Sequence, residues 1–291
     1  MSTADSQQPA ALITGVSSGI GLAIAEDLLQ RGYQVFGSVR RSADAEGLVK
    51  QWGGAFVPLV FDVTDAKTLP QAVAQAEKVL GGRKLAGLVN NAGIGLNGPL
   101  LHQPMSEIRQ MFEVNVFGTL EVTRAFLPLL RSQGEGHRPG RIVNISSASG
   151  WITAPFMGAY SASKHALEAL TQALRRELKI YGIEVSSIAP GFVRSRIFEK
   201  ELATKPMERY TDTDIAACWQ QFNQAAKVAA SFSKPTDVVT RAVRHALESR
   251  KPRTRYPLDF LCFAGRWLND RMFDRLIFKL TGLTKLMVHN V

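Results

Sequence analysis

Cysteine is scarce: Cys218 and Cys262 are the two in 291 residues. That excludes a disulfide framework and fits a reducing compartment, so a cytoplasmic protein is expected. Long apolar runs are missing as well, and no uncharged stretch approaches the roughly 18 residues that a bilayer-spanning helix needs. The first nine residues are polar and include Asp5, a pattern unlike a secretory leader that reads as a disordered tail over 1–9. The five histidines show no metal-ligand spacing, so no metal is expected. No internal repeat or low-complexity segment stands out. Acidic charge is short in one region. Residues 241–291 hold 11 of the 35 lysines and arginines but only 4 of the 25 acids, which places +7 of the net +10 there. A nucleic-acid surface is one meaning of such a bias, but no matching motif accompanies it and no nucleic-acid partner is expected.

What is present is ordered and periodic. Hydrophobic content of 45% with 21% charged residues is ordinary for a soluble globular chain with a sizeable core. Short apolar runs at 10–14, 34–39, 55–61, 85–89, 140–145 and 182–188 read as buried strands. Between them, helix patterns are expected over 22–29, 65–80, 106–130 and 160–181, and a further one runs to 247 after Pro235-Thr236-Asp237.

The chemistry gathers around the strand and helix that flank residues 146–160. A strand ending at Ile145 runs into Ser146 and Ser147, and Tyr160 and Lys164 follow four apart on one helical face. A free tyrosine titrates near about 10 and exchanges protons poorly at neutral pH. A fixed positive charge beside it favours the phenolate, and a serine hydroxyl at the strand end can polarise a carbonyl. Tyr-x-x-x-Lys alone is also an ordinary surface pair, so its weight depends on what precedes it.

Upstream, the first strand enters Gly15-Val16-Ser17-Ser18-Gly19-Ile20-Gly21 and then a helix. Strand, glycine turn and helix N-terminus together suit a pyrophosphate, because backbone N–H groups and the positive dipole end face it closely. The second strand ends at Arg40 and Arg41. An acid at that point would bond a ribose 2′-hydroxyl, whereas an arginine accommodates a 2′-phosphate. The fourth strand ends at Asn90-Asn91-Ala92-Gly93, which can stabilise the sheet edge or wall an adenosine site. Asn115 sits mid-helix between Val114 and Val116, an awkward place for an amide without a task.

Taken in order, Thr14-Gly15-x-x-x-Gly19-x-Gly21, Asp62, Asn90-Asn91-Ala92-Gly93, Asn115, Ser147, Tyr160-x-x-x-Lys164 and Pro190-Gly191 resemble the short-chain dehydrogenase/reductase family. The likeness covers roughly residues 10–260 and leans toward its NADP-linked steroid and retinol dehydrogenase branch. It implies a doubly wound Rossmann-type α/β domain with about seven parallel strands. It implies a catalytic set of Asn115, Ser147, Tyr160 and Lys164, with Tyr160 as acid/base. Asn115 would hold a water linking Lys164 to solvent. Cofactor contacts implied by the resemblance fall on Gly15, Ser17, Ser18, Gly19, Ile20, Gly21, Arg40, Asp62, Asn90, Ala92, Tyr160, Lys164, Val193 and Ser195. Ser195 stands where threonine is common. The implied activity is hydride transfer between NADP(H), preferred over NAD(H), and a hydrophobic secondary alcohol or carbonyl. A cofactor-sensing or membrane-surface protein with little turnover is the alternative.

Residues 194–234 break into polar and aromatic pieces, including Phe198, Met207, Tyr210, Trp219 and Phe222. They read either as a substrate lid or as ordinary surface helices. The catalytic domain is expected over 10–258, with 259–291 as a C-terminal helical extension. Residues 259–280 are aromatic-rich, with Arg266, Arg271, Arg275 and Lys279 interspersed. One amphipathic helix is expected there. It is open to packing on the core, covering the substrate mouth, joining subunits of a homo-oligomer, or lying on a membrane surface.

Overall fold

The computed structural model describes residues 8–131, 138–194, 208–262 and 267–286. The chain alternates strand and helix: β1 (Ala10–Ile13), α1 (Gly19–Gln30), β2 (Gln34–Val39), α2 (Glu46–Trp52), β3 (Phe56–Val60), α3 (Leu69–Leu80) and β4 (Gly87–Asn90). Then come α4 (Met105–Phe112), a π-helical turn (Glu113–Gly118), α5 (Thr119–Leu130), β5 (Arg141–Ile145), α6 (Gly158–Glu177) and β6 (Val185–Ala189). The last described elements are α7 (Ala216–Ser231), α8 (Asp237–Glu248), β7 (Arg255–Pro257) and α9 (Asp270–Thr281). The seven strands pair in parallel in the order β3-β2-β1-β4-β5-β6-β7.

Helices cover both faces of this sheet, which is why its strands read as continuous apolar runs instead of alternating ones. Side chains still alternate in direction. In β1, Ala11 and Ile13 join the core shared with α1 and α8, while Ala10 and Leu12 join the core shared with α3 and α5. Each fully buried Leu, Ile, Val or Phe contributes roughly 1.5–3 kcal/mol by leaving water. Successive strands reverse direction of addition between β1 and β4, and a crevice opens there beyond the strands' C-terminal ends.

Three boundaries differ from the periodicity. α3 starts at Leu69, not Asp65, because Asp62 and Asp65 commit their oxygens to a turn. The Asp62 carboxylate accepts from the Thr64 N–H and hydroxyl, and the Asp65 carbonyl accepts from Thr68. The long helix expected over 106–130 is continuous but carries the π-helical turn at its middle, and Asn115 lies in that turn. The stretch 259–280 is not one helix. Asn269 has extended backbone (φ −70, ψ 159) and caps α9 by accepting from the Met272 N–H at 3.0 Å. No described helix is long and apolar enough to cross a membrane.

Candidate active site

A cavity of about 920 Å³ occupies the crevice. At one end lies the turn between β1 and α1. Gly15 and Gly19 hold positive φ of 72° and 62°, a conformation that side chains with a Cβ resist. The Gly15 N–H donates to the Ser38 hydroxyl at 3.0 Å, which fixes the turn against β2. Ser18 precedes α1 in extended conformation, no side chain caps this helix, and its first turn holds no acid. Ser17, Ser18, Gly19 and Ile20 line the cavity. Unpaired N–H groups and a positive dipole end therefore face it, a cradle that suits a dinucleotide pyrophosphate. Gly21 lies off the wall, where α1 crosses Gly15 so closely that a Cβ would meet the Gly15 carbonyl and the Asn91 amide.

Arg40, at the end of β2, lines the same cavity, as do Asp62 and Ala92. Arg41 is engaged elsewhere, pairing with Asp44 at 2.8 Å. Asn90 turns the other way. Its side chain is buried and donates to Thr123 and to Asn144, each at 2.9 Å. Asn144 in turn donates to Thr171 at 2.8 Å. This internal ladder was visible only as two asparagines inside apolar runs, which the β4–β5 register sets side by side.

At the centre, β5 delivers Ser147 and α6 delivers Tyr160 and Lys164, all three on the cavity wall. Ser147 caps a single 3₁₀ turn, its Oγ accepting from the Ser149 N–H at 3.1 Å. Lys164 is buried, with Nζ donating to the Ile145 carbonyl at 3.0 Å and lying 5.9 Å from the Tyr160 ring centroid. Burial pushes the Lys164 ammonium down to about 8, partly opposed by the negative Glu168 one turn further along α6. Asn115 is fully buried. Its amide pairs twice with the Ile94 backbone, at 2.9 Å each, and donates to Ser163 Oγ at 3.0 Å. Ser163 passes the link to the Tyr160 carbonyl at 2.7 Å. The π-helical turn widens the helix here and lets a buried amide serve these partners.

The far end is closed by α7, α9 and the segments beside them. Val193 bridges Lys234 through its neighbours, Lys234 N–H to Phe192 and Arg194 N–H to Lys234, so its own amide group is not used in that bridge. Phe222, Ala225, Ala226 and Ala229 of α7 and Ile277, Leu280 and Thr281 of α9 line the cavity, with Asp259 and Leu261 between them. Trp219 and Phe222 pack with Phe156 and Tyr210. Ser195, Phe198, Met207 and Arg266 lie outside the described residues. Sequence periodicity did not reveal Ser38, Asp259 or the α9 contacts, because each depends on which distant segments meet.

A doubly wound sheet whose switch-point cavity joins a glycine turn to a Ser, Tyr and Lys cluster defines the class of dinucleotide-dependent oxidoreductases. The family model described as short chain dehydrogenase matches residues 9–206, and the chain belongs to the short-chain dehydrogenase/reductase family. It is 41% identical to an NADPH-dependent 3-dehydrocapnine reductase of Ornithobacterium rhinotracheale, covering 92% of this chain and 96% of that protein. It is 33% identical to retinol dehydrogenase 5 of Homo sapiens, covering 84% and 78%. A short-chain dehydrogenase from Streptomyces avermitilis has a similar structure, with a TM-score of 0.74 at 29% identity over 97% of this chain and 98% of that one.

Proposed function

We propose that the protein is an NADP(H)-dependent oxidoreductase that interconverts a hydrophobic secondary alcohol and its carbonyl. One observation carries this reading: a single cavity joins Arg40 and the glycine turn to Ser147, Tyr160 and Lys164, then continues between the apolar residues of α7 and α9. The NADPH dependence named for the Ornithobacterium relative supports the cofactor choice. A nicotinamide bound there would supply or accept the hydride.

The chain's own groups handle the oxygen and its proton. Ser147 Oγ orients the substrate oxygen, and the Tyr160 phenol gives it a proton in reduction or takes one in oxidation. Lys164 is held by Ile145 and presents positive charge beside the phenol, which favours the phenolate form. Arg40 would hold the 2′-phosphate through a charge-assisted contact. Asn115 shapes Ile94 and the first turn of α6 from behind. The described residues beyond 258 belong to the same domain, and Leu261, Ile277 and Leu280 form an apolar wall of the substrate chamber.

Phe260 and Trp267 are 73% and 81% exposed, in the region of the sequence that carries most of the excess positive charge. That pairing favours contact with an anionic membrane surface from which apolar substrates could be drawn.

The test is a screen of hydrophobic ketones and alcohols, read by absorbance of the reduced cofactor with NADPH and NADH in parallel. Turnover with NADPH is expected, strongest for long apolar ketones. Cofactor binding without turnover of any carbonyl would instead mark a sensing protein.

A further inference from the structure

The substrate end of the cavity is mainly apolar, and Asp259 is the acid set beside its α7 and α9 residues. This residue follows β7 and leans over the loop after β6, where its carboxylate occupies the space that a Cβ on Gly191 would need. Any side chain at Gly191 would expel it. Both Asp259 and Gly191 line the cavity, and Leu261, Phe222 and Leu280 stand on the same wall. One carboxylate oxygen accepts from the Leu261 N–H at 2.9 Å. Among the described residues no cation pairs with this carboxylate. The nearby Lys234 ammonium is held by the Leu258 carbonyl at 2.9 Å. The thiol of Cys262 registers the charge, pushed up to about 11 by burial first and Asp259 second.

A half-buried carboxylate beside apolar side chains suits a partner of opposite charge. The cations on the cavity wall do not answer it: Arg40 is at the cofactor end, and Lys164 is bound to Ile145 behind Tyr160. We propose that Asp259 selects the substrate by charge: the preferred substrate is a long-chain amino ketone or amino alcohol whose ammonium pairs with Asp259 while its tail lies along α7 and α9. This rests on the oxidoreductase reading above and adds the chemical class of its substrate.

The discriminating pair is an aminomethyl nonyl ketone and methyl nonyl ketone, assayed with NADPH on the full chain and on Asp259→Asn. The variant keeps an oxygen for the Leu261 N–H and loses the charge. For the wild type, kcat/KM is expected to favour the amino ketone by about 10- to 100-fold, the range of a hydrogen bond to a charged group. In the variant the ratio should fall to near one. General damage to the fold would lower both rates and leave the ratio as it was. A wild-type ratio near one, or a variant that keeps the wild-type ratio, overturns the proposal. Calorimetric titration with decylamine and decanol separates the two layers. If neither ketone turns over but decylamine binds about ten-fold tighter than decanol and Asp259→Asn abolishes the difference, the charge selection stands and the reaction assignment falls. If decylamine shows no advantage, the charge selection falls whatever the turnover.

Discussion

Asn115 and Ile94 are joined by two hydrogen bonds of 2.9 Å, so one side-chain amide satisfies both backbone groups of the residue that follows Gly93. A third bond carries the same amide to Ser163, which holds the Tyr160 carbonyl. The loop after β4 and the first turn of α6 thus share one buried clamp. Asn115→Ala leaves the Ile94 N–H and carbonyl without their side-chain partner at the partly buried cavity wall. It should cost about 2–4 kcal/mol of stability, measured by urea denaturation. Turnover should fall with it, and a variant as stable as the wild type would show that the clamp contributes nothing.

Tyr160→Phe should lower turnover by roughly 10²- to 10⁴-fold, the usual worth of a placed general acid. Binding of the dinucleotide, followed by fluorescence titration, should largely survive because the glycine turn and Arg40 are untouched. Near-normal turnover would remove Tyr160 from the acid/base role.

The reductive rate should fall as pH rises through about 8. Burial lowers Lys164 from 10.5 to about 8, and Glu168 resists the shift. Above that value the ammonium beside Tyr160 is lost. The stability sign is opposite: the unfolded chain holds this proton up to 10.5, so between about 8 and 10.5 it binds more protons and this group makes stability rise with pH. Glu168→Gln should move the kinetic limb to lower pH. A limb that stays in place would show that Lys164 does not control it.

Arg40→Asp should reverse the cofactor preference, since a carboxylate repels the 2′-phosphate and accepts from a 2′-hydroxyl. Dissociation constants of NADPH and NADH for both proteins decide the matter. Equal affinity of the wild type for the two would contradict the assignment.

Replacing Phe260 and Trp267 together by serine should weaken sedimentation with anionic liposomes, and salt should weaken it in the wild type too. Both side chains are mostly in water, so thermal stability should stay near the wild-type value. Lipid binding unaffected by the double change would place any membrane contact elsewhere.

Much of the sheet was readable from sequence because its strands are buried on both faces. Short apolar runs such as those ending at Ile13 and Ile145 are too short for a typical helix and run into turn residues, which is what marks them as buried strands. The glycine turn, Ser147, Tyr160 and Lys164 were readable because their spacing is local. Asn90 was not. A strand-end amide looks the same whether it faces a ligand or, as here, Thr123 and Asn144. The break at Asn269 was hidden beneath a helical pattern that its capping hydrogen bond overrides. Asp259 beside Gly191 is a contact across 68 residues, and no period in the sequence encodes it.

The aromatic group behind the chamber gives the molecule an optical handle. Trp219 is 1% exposed, stacked 5.9 Å from Phe222 and edge-on to Phe156 and Tyr210 at 5.6 and 5.4 Å. Phe222 also lines the cavity, so the indole is one side chain removed from whatever fills it. Its emission should be blue-shifted, in contrast to that of Trp267 in water. Occupancy of the chamber can then be followed in unlabelled protein by the intensity and anisotropy of that buried emitter.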